Sequence, residues 1–246
     1  MRTHLDPSEL GTKQYWDSFY AREITNHTSN ASDVGTIWFD DSGAEDKVLE
    51  RLDLWSDEQE ADKHVLRKTE SDGRPASRIL DLGTGNGHML FALRDEGWEG
   101  ELVGVDYSAE SVTLARQIGA KRKEDQDEEE GEVRFETWDL LNQEPGEWLG
   151  EGFDAVLDKG TFDAISLSEE TDAQGRRICE TYKERVVPLV KKGGLFVITS
   201  CNWTKEEILH WFEGEELKFF DEGPYATFTY GGKTGSSVCT ILFQRR

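Results

Sequence analysis

The residue types best suited to chemistry in this 246-residue chain lie in two short apolar stretches. Residues 79–87 read Ile-Leu-Asp-Leu-Gly-Thr-Gly-Asn-Gly, and residues 102–107 read Leu-Val-Gly-Val-Asp-Tyr. The three glycines, Gly83, Gly85 and Gly87, carry no side chain, so a ligand can approach the backbone closely and the chain can turn sharply into a helix. Asp106 follows about twenty residues later, where an acid that binds a ribose stands in a nucleotide-binding βαβ unit.

The spacing of the glycines indicates which ligand they could hold. It is Asp-x-Gly-x-Gly-x-Gly, whereas dinucleotide-binding loops have Gly-x-Gly-x-x-Gly. Asp81 stands just ahead of the glycines, where it would repel a pyrophosphate and favour a cationic ligand. S-adenosylmethionine has a ribose, a sulfonium cation and an amino group but no phosphate, so it fits this pattern. A tight strand–helix turn without a ligand is the alternative for the glycines taken alone.

Several segments resemble known methyltransferases. Residues 80–87 resemble motif I of the class I S-adenosylmethionine-dependent methyltransferases, and residues 105–108 resemble the acidic motif that follows it. Residues 158–164, Asp-Lys-Gly-Thr-Phe-Asp-Ala, resemble the signature of a small group of protein-lysine methyltransferases. With segments 11–17, 37–39, 200–204 and 231–235, the chain is similar to the fungal-type elongation factor 1-alpha lysine methyltransferases. It departs from them in a longer acidic run and in Asp40-Asp41 after Trp38-Phe39.

The resemblance implies a role for each site residue. The predicted cofactor-binding residues are Tyr15, Trp16, Asp81, Gly83, Thr84, Gly85, Asn86, Gly87, Asp106, Tyr107, Asp139, Leu140 and Asp158. Among them, Asp106 would accept hydrogen bonds from the ribose, Tyr107 would pack against the adenine, and Asp139 with Leu140 would hold the adenine amino group. The predicted catalytic residues are Asp158, which would position the acceptor amine, and Trp38 and Phe39, which would line a lysine channel together with Trp203.

Plainer structural roles remain open for several of these residues. Asp139 could be a helix cap or turn residue, and Asp158 could be a turn acid ahead of Gly160. Trp38 and Phe39 could equally be buried packing residues.

The order of apolar segments predicts an α/β fold. Strands are expected at 79–82, 102–105, 132–136, 153–157 and 195–199, with helices near 86–96, 109–120, 175–190 and 204–213. Gly193 and Gly194 are expected to break the third of these helices. The alternation predicts a mostly parallel sheet with helices on both faces. Paired strands near the C-terminus, joined through 231–233, would add an antiparallel edge, and the resemblance implies seven strands in all.

The chain is interpreted as one methyltransferase domain, 1–246, with two additions. Residues 1–66 are predicted to form a helical lid or cap, because Tyr15, Trp16, Phe19 and Tyr20 share one helical face and residues 44–66 are amphipathic. A helix that only caps the core is the alternative to a lid. The charged run 121–131 is predicted to be an acidic surface loop without a catalytic role, with a docking site for a basic partner as the alternative.

The amino-acid composition of the chain limits the kinds of molecule that it could bind. The net charge of −23 argues against nucleic-acid binding and favours a basic protein substrate. Scattered histidines and three widely spaced cysteines indicate neither a metal site nor a disulfide framework. We expect no membrane segment and no secretory signal, which with unpaired cysteines favours the cytoplasm. We also expect a monomer. The resemblance implies elongation factor 1-alpha as substrate. The alternatives are a methyltransferase of a small metabolite or another protein, and a non-catalytic interaction protein.

Overall fold

The computed structural model describes residues 4–56, 65–125, 131–226, 228–230 and 233–246. Its centre is a seven-stranded sheet in the order β3-β2-β1-β4-β5-β9-β6, in which the first five strands are parallel and β9 runs antiparallel to both β5 and β6. The strands are β1 Ile79–Leu82, β2 Leu102–Asp106, β3 Val133–Thr137, β4 Phe153–Lys159, β5 Val190–Ser200, β6 Leu217–Glu222 and β9 Cys239–Arg245. The predicted fold class is therefore confirmed.

Strand burial explains why the central strands read as continuous apolar runs. Every residue of β1 and β2 is buried, as expected for parallel strands covered on both faces. Successive side chains of β1 belong to different cores: Ile79 packs in the cluster that contains Leu90 and Trp98, and Leu80 in the cluster that contains Phe196. Two hydrophobic cores therefore hold the sheet between its layers of helices.

Seven helices surround the sheet in the described part of the chain. They are α1 Lys13–Ser29, α2 Ala44–Leu54, α3 His88–Asp95, α4 Ala109–Asp125, α5 Thr161–Ser166, α6 Tyr182–Val186 and α7 Lys205–Phe212. A capping box begins α7, because the Thr204 hydroxyl accepts from the Glu207 N–H and the Glu207 carboxylate accepts from the Thr204 N–H. No helix in this part of the chain is long and apolar enough to cross a membrane.

The predicted helix at 175–190 is helical over residues 178–189, but it is not one α-helix. It consists of a 3-10 turn at Ile178–Thr181, the short helix α6 and a second 3-10 turn at Val187–Leu189. Pro188 has no N–H to donate and its ring obstructs an α-helix, which explains the early end of α6. Gly193 and Gly194 do not break a helix but lie within β5, where a side chain at Gly194 would come within 2.8 Å of the Asp154 carbonyl oxygen.

The predictions for the charged run and the C-terminus need similar corrections. Residues 121–125 are not a loop but the last turns of α4, where Lys121 bonds Asp125 at 2.7 Å. Residues 126–130 lie outside the described residues, as do 57–64 of the predicted helix 44–66 and the joining residues 231–232. Strand β9 pairs with β6, while β7 Phe228–Tyr230 and β8 Lys233–Gly235 form a separate hairpin.

Candidate active site

A cavity of about 720 Å³ opens at the carboxyl ends of β1, β2 and β4. Ligands of open α/β sheets bind at this edge, and the volume lies in the range of roughly 300–1,000 Å³ found for small-molecule sites. The predicted site residues that line it are Trp16, Trp38, Phe39, Gly83, Asp106, Tyr107, Asp139 and Leu140. The structure thus brings together residues from the N-terminal segment, the glycine loop and three strand ends.

The glycine loop has the geometry that its sequence predicts. Gly83, Gly85 and Gly87 all have positive φ, at 61°, 60° and 79°, where a residue with a side chain is strained. A Cβ atom at Gly83 would come within 2.1 Å of the Thr161 hydroxyl oxygen, and one at Gly85 within 2.7 Å of the Tyr20 hydroxyl oxygen. The loop therefore needs glycine both for its backbone and for the close approach of its neighbours.

Asp106 joins the second strand to this loop. Its carboxylate is buried and accepts hydrogen bonds from the Gly85 N–H at 3.1 Å, the Ser108 N–H at 2.9 Å and the Ser111 hydroxyl at 2.8 Å. Burial raises the pKa of Asp106, and these donors act in the opposite direction. Because Asp106 also lines the cavity, it could accept hydrogen bonds from a ribose there.

The remaining loop residues lie behind the cavity wall. Asp81 is buried in β1, and burial raises its pKa to about 7. Thr84 is buried as well, and its N–H donates to the Val105 carbonyl at 3.0 Å. The Asn86 side chain donates to the carbonyl oxygens of Val34 at 2.8 Å and Thr36 at 3.4 Å. In this arrangement Asn86 fastens the N-terminal segment to the loop, a contact that the sequence did not predict.

Aromatic side chains from α1 and the segment after it form one wall. Trp16 lies 5.3 Å from Trp38 between ring centroids in an edge-to-face contact, and both line the cavity. Tyr15 packs against Trp16 at 5.2 Å but does not itself line the cavity. Trp203, which was expected in the lysine channel, is instead buried in the core, where its indole N–H bonds the Ser166 hydroxyl.

The predicted adenine contacts line the cavity after two strand ends, Tyr107 after β2 and Asp139 with Leu140 after β3. Tyr107 is half-buried, and the Lys13 Nζ atom lies 5.5 Å from its ring centroid. Asp139 accepts hydrogen bonds from the Leu141 N–H at 3.0 Å and the Asn142 N–H at 3.2 Å. Asp139 therefore holds a turn and also lines the cavity, while its contact with the adenine amino group stays a prediction.

Asp158 lies near the end of β4, and both of its carboxylate oxygens accept hydrogen bonds from the chain itself. Its buried carboxylate accepts hydrogen bonds from the Tyr182 hydroxyl at 2.5 Å, the Thr161 N–H at 2.8 Å and the Phe162 N–H at 3.0 Å. Burial raises its pKa to about 7. The oxygens face donors of the chain itself, so a contact with an acceptor amine would require some of these bonds to break.

Sequence reasoning missed several residues of the cavity. Tyr20, Lys159 and Thr161 line it, with Glu170 and Glu184 on its rim. Tyr20 belongs to the predicted aromatic face, and Lys159 and Thr161 belong to the segment 158–164. The sequence therefore pointed to these segments, but none of the three side chains was predicted to line the site. Glu170 lies in the irregular segment after α5 and Glu184 lies in α6, and no pattern in the sequence pointed to either residue. Within the described residues, no group of three metal-ligating side chains occurs.

The donor set of the cavity fits S-adenosylmethionine. A bare glycine loop lies beside the buried Asp106 that ends the next strand, and aromatic side chains line another part of the cavity. Such a site can accommodate a ribose and a sulfonium cation.

Comparisons with known proteins agree with this geometry. A family model described as a methyltransferase domain matches residues 74–226. The chain is 39% identical over 242 residues to protein-lysine N-methyltransferase EFM4 of Saccharomyces cerevisiae, covering 98% of this chain and 97% of that protein. It is 35% identical over 240 residues to human EEF1A lysine methyltransferase 2, covering 97% and 88%.

A solved structure agrees on the fold. Magnesium protoporphyrin IX methyltransferase from Synechocystis, with bound S-adenosylmethionine, superposes with a TM-score of 0.59 at 14% identity, covering 100% of both chains. The predicted family and cofactor are thus confirmed. This chain belongs to the S-adenosylmethionine-dependent methyltransferases, in the family of protein-lysine N-methyltransferases that includes EFM4 and EEF1A lysine methyltransferase 2.

Proposed function

We propose that this chain methylates a lysine side chain of translation elongation factor 1-alpha, acting as a monomer in the cytoplasm. The names of its full-length relatives support this substrate. The observation that carries the proposal is that one cavity is lined by Gly83 of the glycine loop, by Asp106 and by the aromatic residues Trp16, Trp38 and Phe39. In such a site a cofactor and a lysine side chain can bind next to each other.

The glycine loop and the ends of β2 and β3 hold the cofactor in this proposal. Gly83 lies against the methionine part, and Asp106, which the Gly85 N–H holds in place, accepts from the ribose hydroxyls. Tyr107 packs on the adenine, whose amino group meets Asp139 and Leu140. Asp81, Thr84, Asn86 and Gly87 support the loop from behind, because their side chains or backbone lie outside the cavity wall.

Trp38 and Phe39 line the path of the acceptor lysine. Aromatic faces attract an ammonium group by about 0.5–2 kcal/mol and exclude water from it. The bound cofactor supplies an electrophilic methyl group, so the chain must hold a neutral amine in line with it. Glu170 is exposed on the cavity wall, where its charge favours the approach of a basic segment, whereas the charge of Glu184 is offset by Arg176 at 3.9 Å.

Asp158 acts as a positioning residue in this scheme. Its carboxylate holds the N–H groups of Thr161 and Phe162 and so fixes the start of α5. Gly160 and Thr161 are part of the cavity wall, which links this hydrogen bonding to the site. A direct contact between Asp158 and the acceptor amine stays a prediction.

The experiment combines the purified chain, isotopically labelled S-adenosylmethionine and purified elongation factor 1-alpha. We expect label on one or more lysines, located by mass spectrometry, and none with Asp106→Ala. Mass spectrometry of elongation factor 1-alpha from cells with and without the gene gives the second test. An unchanged methylation pattern at every lysine would remove this substrate. Label on another protein or on a small molecule would redirect the assignment within the same family.

A further inference from the structure

A strained turn carries the aromatic residues Trp38 and Phe39 into the cavity. Phe39 has φ 68° and ψ 17°, a left-handed conformation that is costly for a residue with a large side chain. The strained conformation of Phe39 persists only if the surrounding residues hold the turn in place. Gly160 provides room for it, because a Cβ atom there would come within 2.7 Å of the Phe39 ring.

Three anchors hold the segment 34–39 against the rest of the domain. The Glu23 carboxylate accepts from the Thr36 N–H at 3.0 Å, and the Asn86 side chain donates to the Val34 carbonyl at 2.8 Å. At the far end, the Lys159 ammonium donates to the Trp38 carbonyl at 3.0 Å and lies 5.9 Å from the Phe39 ring centroid. The third anchor is therefore the one that acts on the strained turn itself.

Lys159 is an unusual residue to find beside a site for a cationic substrate. It follows Asp158 at the carboxyl end of β4 and lines the cavity. Burial lowers the pKa of its ammonium, while Glu45, Asp81 and Asp158 act in the opposite direction. Three acidic groups from α2, β1 and β4 thus surround one ammonium, whose hydrogen bond goes to the chain and not toward open space.

We propose that Lys159 is a positioning residue that holds the Trp38–Phe39 turn over the cavity and sets the width of the lysine path. This inference rests on the proposed methyl transfer, because the turn affects activity only if the acceptor lysine passes it. Lys159 neither touches the reacting atoms nor binds the acceptor. Its effect on turnover passes entirely through the two aromatic rings.

Lys159→Met removes the ammonium with little change in volume. The first measurement is hydrogen–deuterium exchange of the purified chain, in which we expect faster exchange over residues 34–43 in Lys159→Met. Lys47→Met is the matched control, since Lys47 is a half-buried lysine of α2 that pairs with Glu50 away from the cavity. It should leave exchange in this segment unchanged. This readout does not depend on which substrate the enzyme uses.

The second measurement is a mutant cycle on kcat/KM for the protein substrate. Misplacement of a site by about 1 Å can cost about a hundredfold, so we expect Lys159→Met to lower kcat/KM by about tenfold to a hundredfold. In the background Trp38→Ala/Phe39→Ala the same substitution should cost less than about threefold, because residues acting through one another are not additive. The Kd for S-adenosylhomocysteine should change by less than about threefold, and Lys159→Arg, which keeps a donor and a charge, should restore part of kcat/KM.

The outcomes separate the two proposals. The role of Lys159 would be overturned if Lys159→Met lowered kcat/KM as strongly in the Trp38→Ala/Phe39→Ala background as in the unsubstituted chain. Unchanged hydrogen–deuterium exchange over residues 34–43 would overturn it as well. Absence of methyl transfer by the unsubstituted chain would instead overturn the proposed substrate and leave the exchange result to judge Lys159. If Lys159→Met fails to fold, both measurements are made on Lys159→Gln. Its shorter side chain weakens the link to the Trp38 carbonyl, so we expect changes in the same direction.

Discussion

The carboxylate of Asp106 accepts a hydrogen bond from the backbone N–H of Gly85 at 3.1 Å. The acid that ends β2 is thereby joined to the loop that follows β1. The Ser111 hydroxyl reinforces this link, because it donates to Asp106 at 2.8 Å and its oxygen lies 2.8 Å from the Gly85 carbonyl oxygen. The two sequence motifs, separated by α3, thus form one hydrogen-bonded unit.

Asp106→Asn should weaken cofactor binding without unfolding the chain. The substitution keeps the shape but turns an amide NH2 toward donors that need an acceptor. Loss of charge-assisted hydrogen bonds costs about 1.5–3 kcal/mol, so the Kd for S-adenosylhomocysteine should rise by one to two orders of magnitude in calorimetry. Asp95→Asn, an exposed change at the end of α3, is the control and should leave the Kd unchanged. Equal affinity of all three proteins would contradict the assignment.

Gly83→Ala should be far more damaging than Gly73→Ala. Both glycines have similar positive φ, 61° and 69°, but a Cβ at Gly73 meets nothing within 4 Å. The conformational cost at Gly73 is about 1 kcal/mol, whereas the added collision with Thr161 should bring Gly83→Ala to about 2–4 kcal/mol in the free energy of unfolding. Chemical denaturation measures both. Thr161→Ala in the Gly83→Ala background should recover part of the loss, and no recovery would show that the collision is not the cause.

The central part of the fold could be predicted because local signals agree there. Strands β1 and β2 are buried throughout and apolar apart from Asp81 and Asp106, and the glycines between β1 and α3 suit a tight turn. The positions of Asp106 and Gly83 follow from that topology. The contacts of Asn86 with the segment 34–36 could not be predicted, because the sequence does not show which distant backbone passes over the loop.

Long-range packing also explains the errors. The single helix expected at 175–190 has a suitable pattern of polar and apolar residues, yet α6 ends at Val186 just ahead of Pro188, a 3-10 turn follows, and β5 begins at Val190. Asp158 stands at a strand end, where an acid can face a ligand. Its carboxylate faces Tyr182 because α6 packs across the end of the strand, and nothing near Asp158 in the sequence indicates this.

The ionisation of Asp158 should make stability depend on pH. Burial raises its pKa from the ordinary 3.8 to about 7, so the folded chain holds the proton more tightly than the unfolded chain. The protonated form therefore stabilises the fold fully below about pH 4, and this contribution is lost as the pH rises through about 7. Relative to Asp158→Asn, the free energy of unfolding should fall over this window by at most about 1.4 kcal/mol per pH unit.

Tyr182→Phe provides the internal check on that window. The Tyr182 hydroxyl lowers the pKa of Asp158 by donating to its carboxylate, so its removal should move the window to higher pH. Urea denaturation between pH 4 and pH 8 for the three proteins measures both effects. A constant difference between the unsubstituted chain and Asp158→Asn over this range would show that Asp158 has the same affinity for a proton in both states.

Trp16→Ala and Tyr15→Ala should separate a lid from a helix that only caps the core. The two residues are neighbours on α1, are similarly half-buried and belong to one aromatic cluster. Each truncation should lower the free energy of unfolding by about 1–3 kcal/mol. Only Trp16 lines the cavity, where its ring meets Trp38 and its indole N–H bonds the Leu10 carbonyl at 2.7 Å.

We therefore expect Trp16→Ala to weaken S-adenosylhomocysteine binding by about tenfold, or ~1.4 kcal/mol, and Tyr15→Ala by less than about twofold. Deletion of residues 1–35 would not make this distinction. It also removes Phe19 and Tyr20, which are buried in the core, and would expose the side chains beneath them. Equal weakening by the two point substitutions would mean that α1 acts on the site only through stability. A difference confined to Trp16 would assign the cavity-facing half of the cluster to ligand binding and leave Tyr15 to the core.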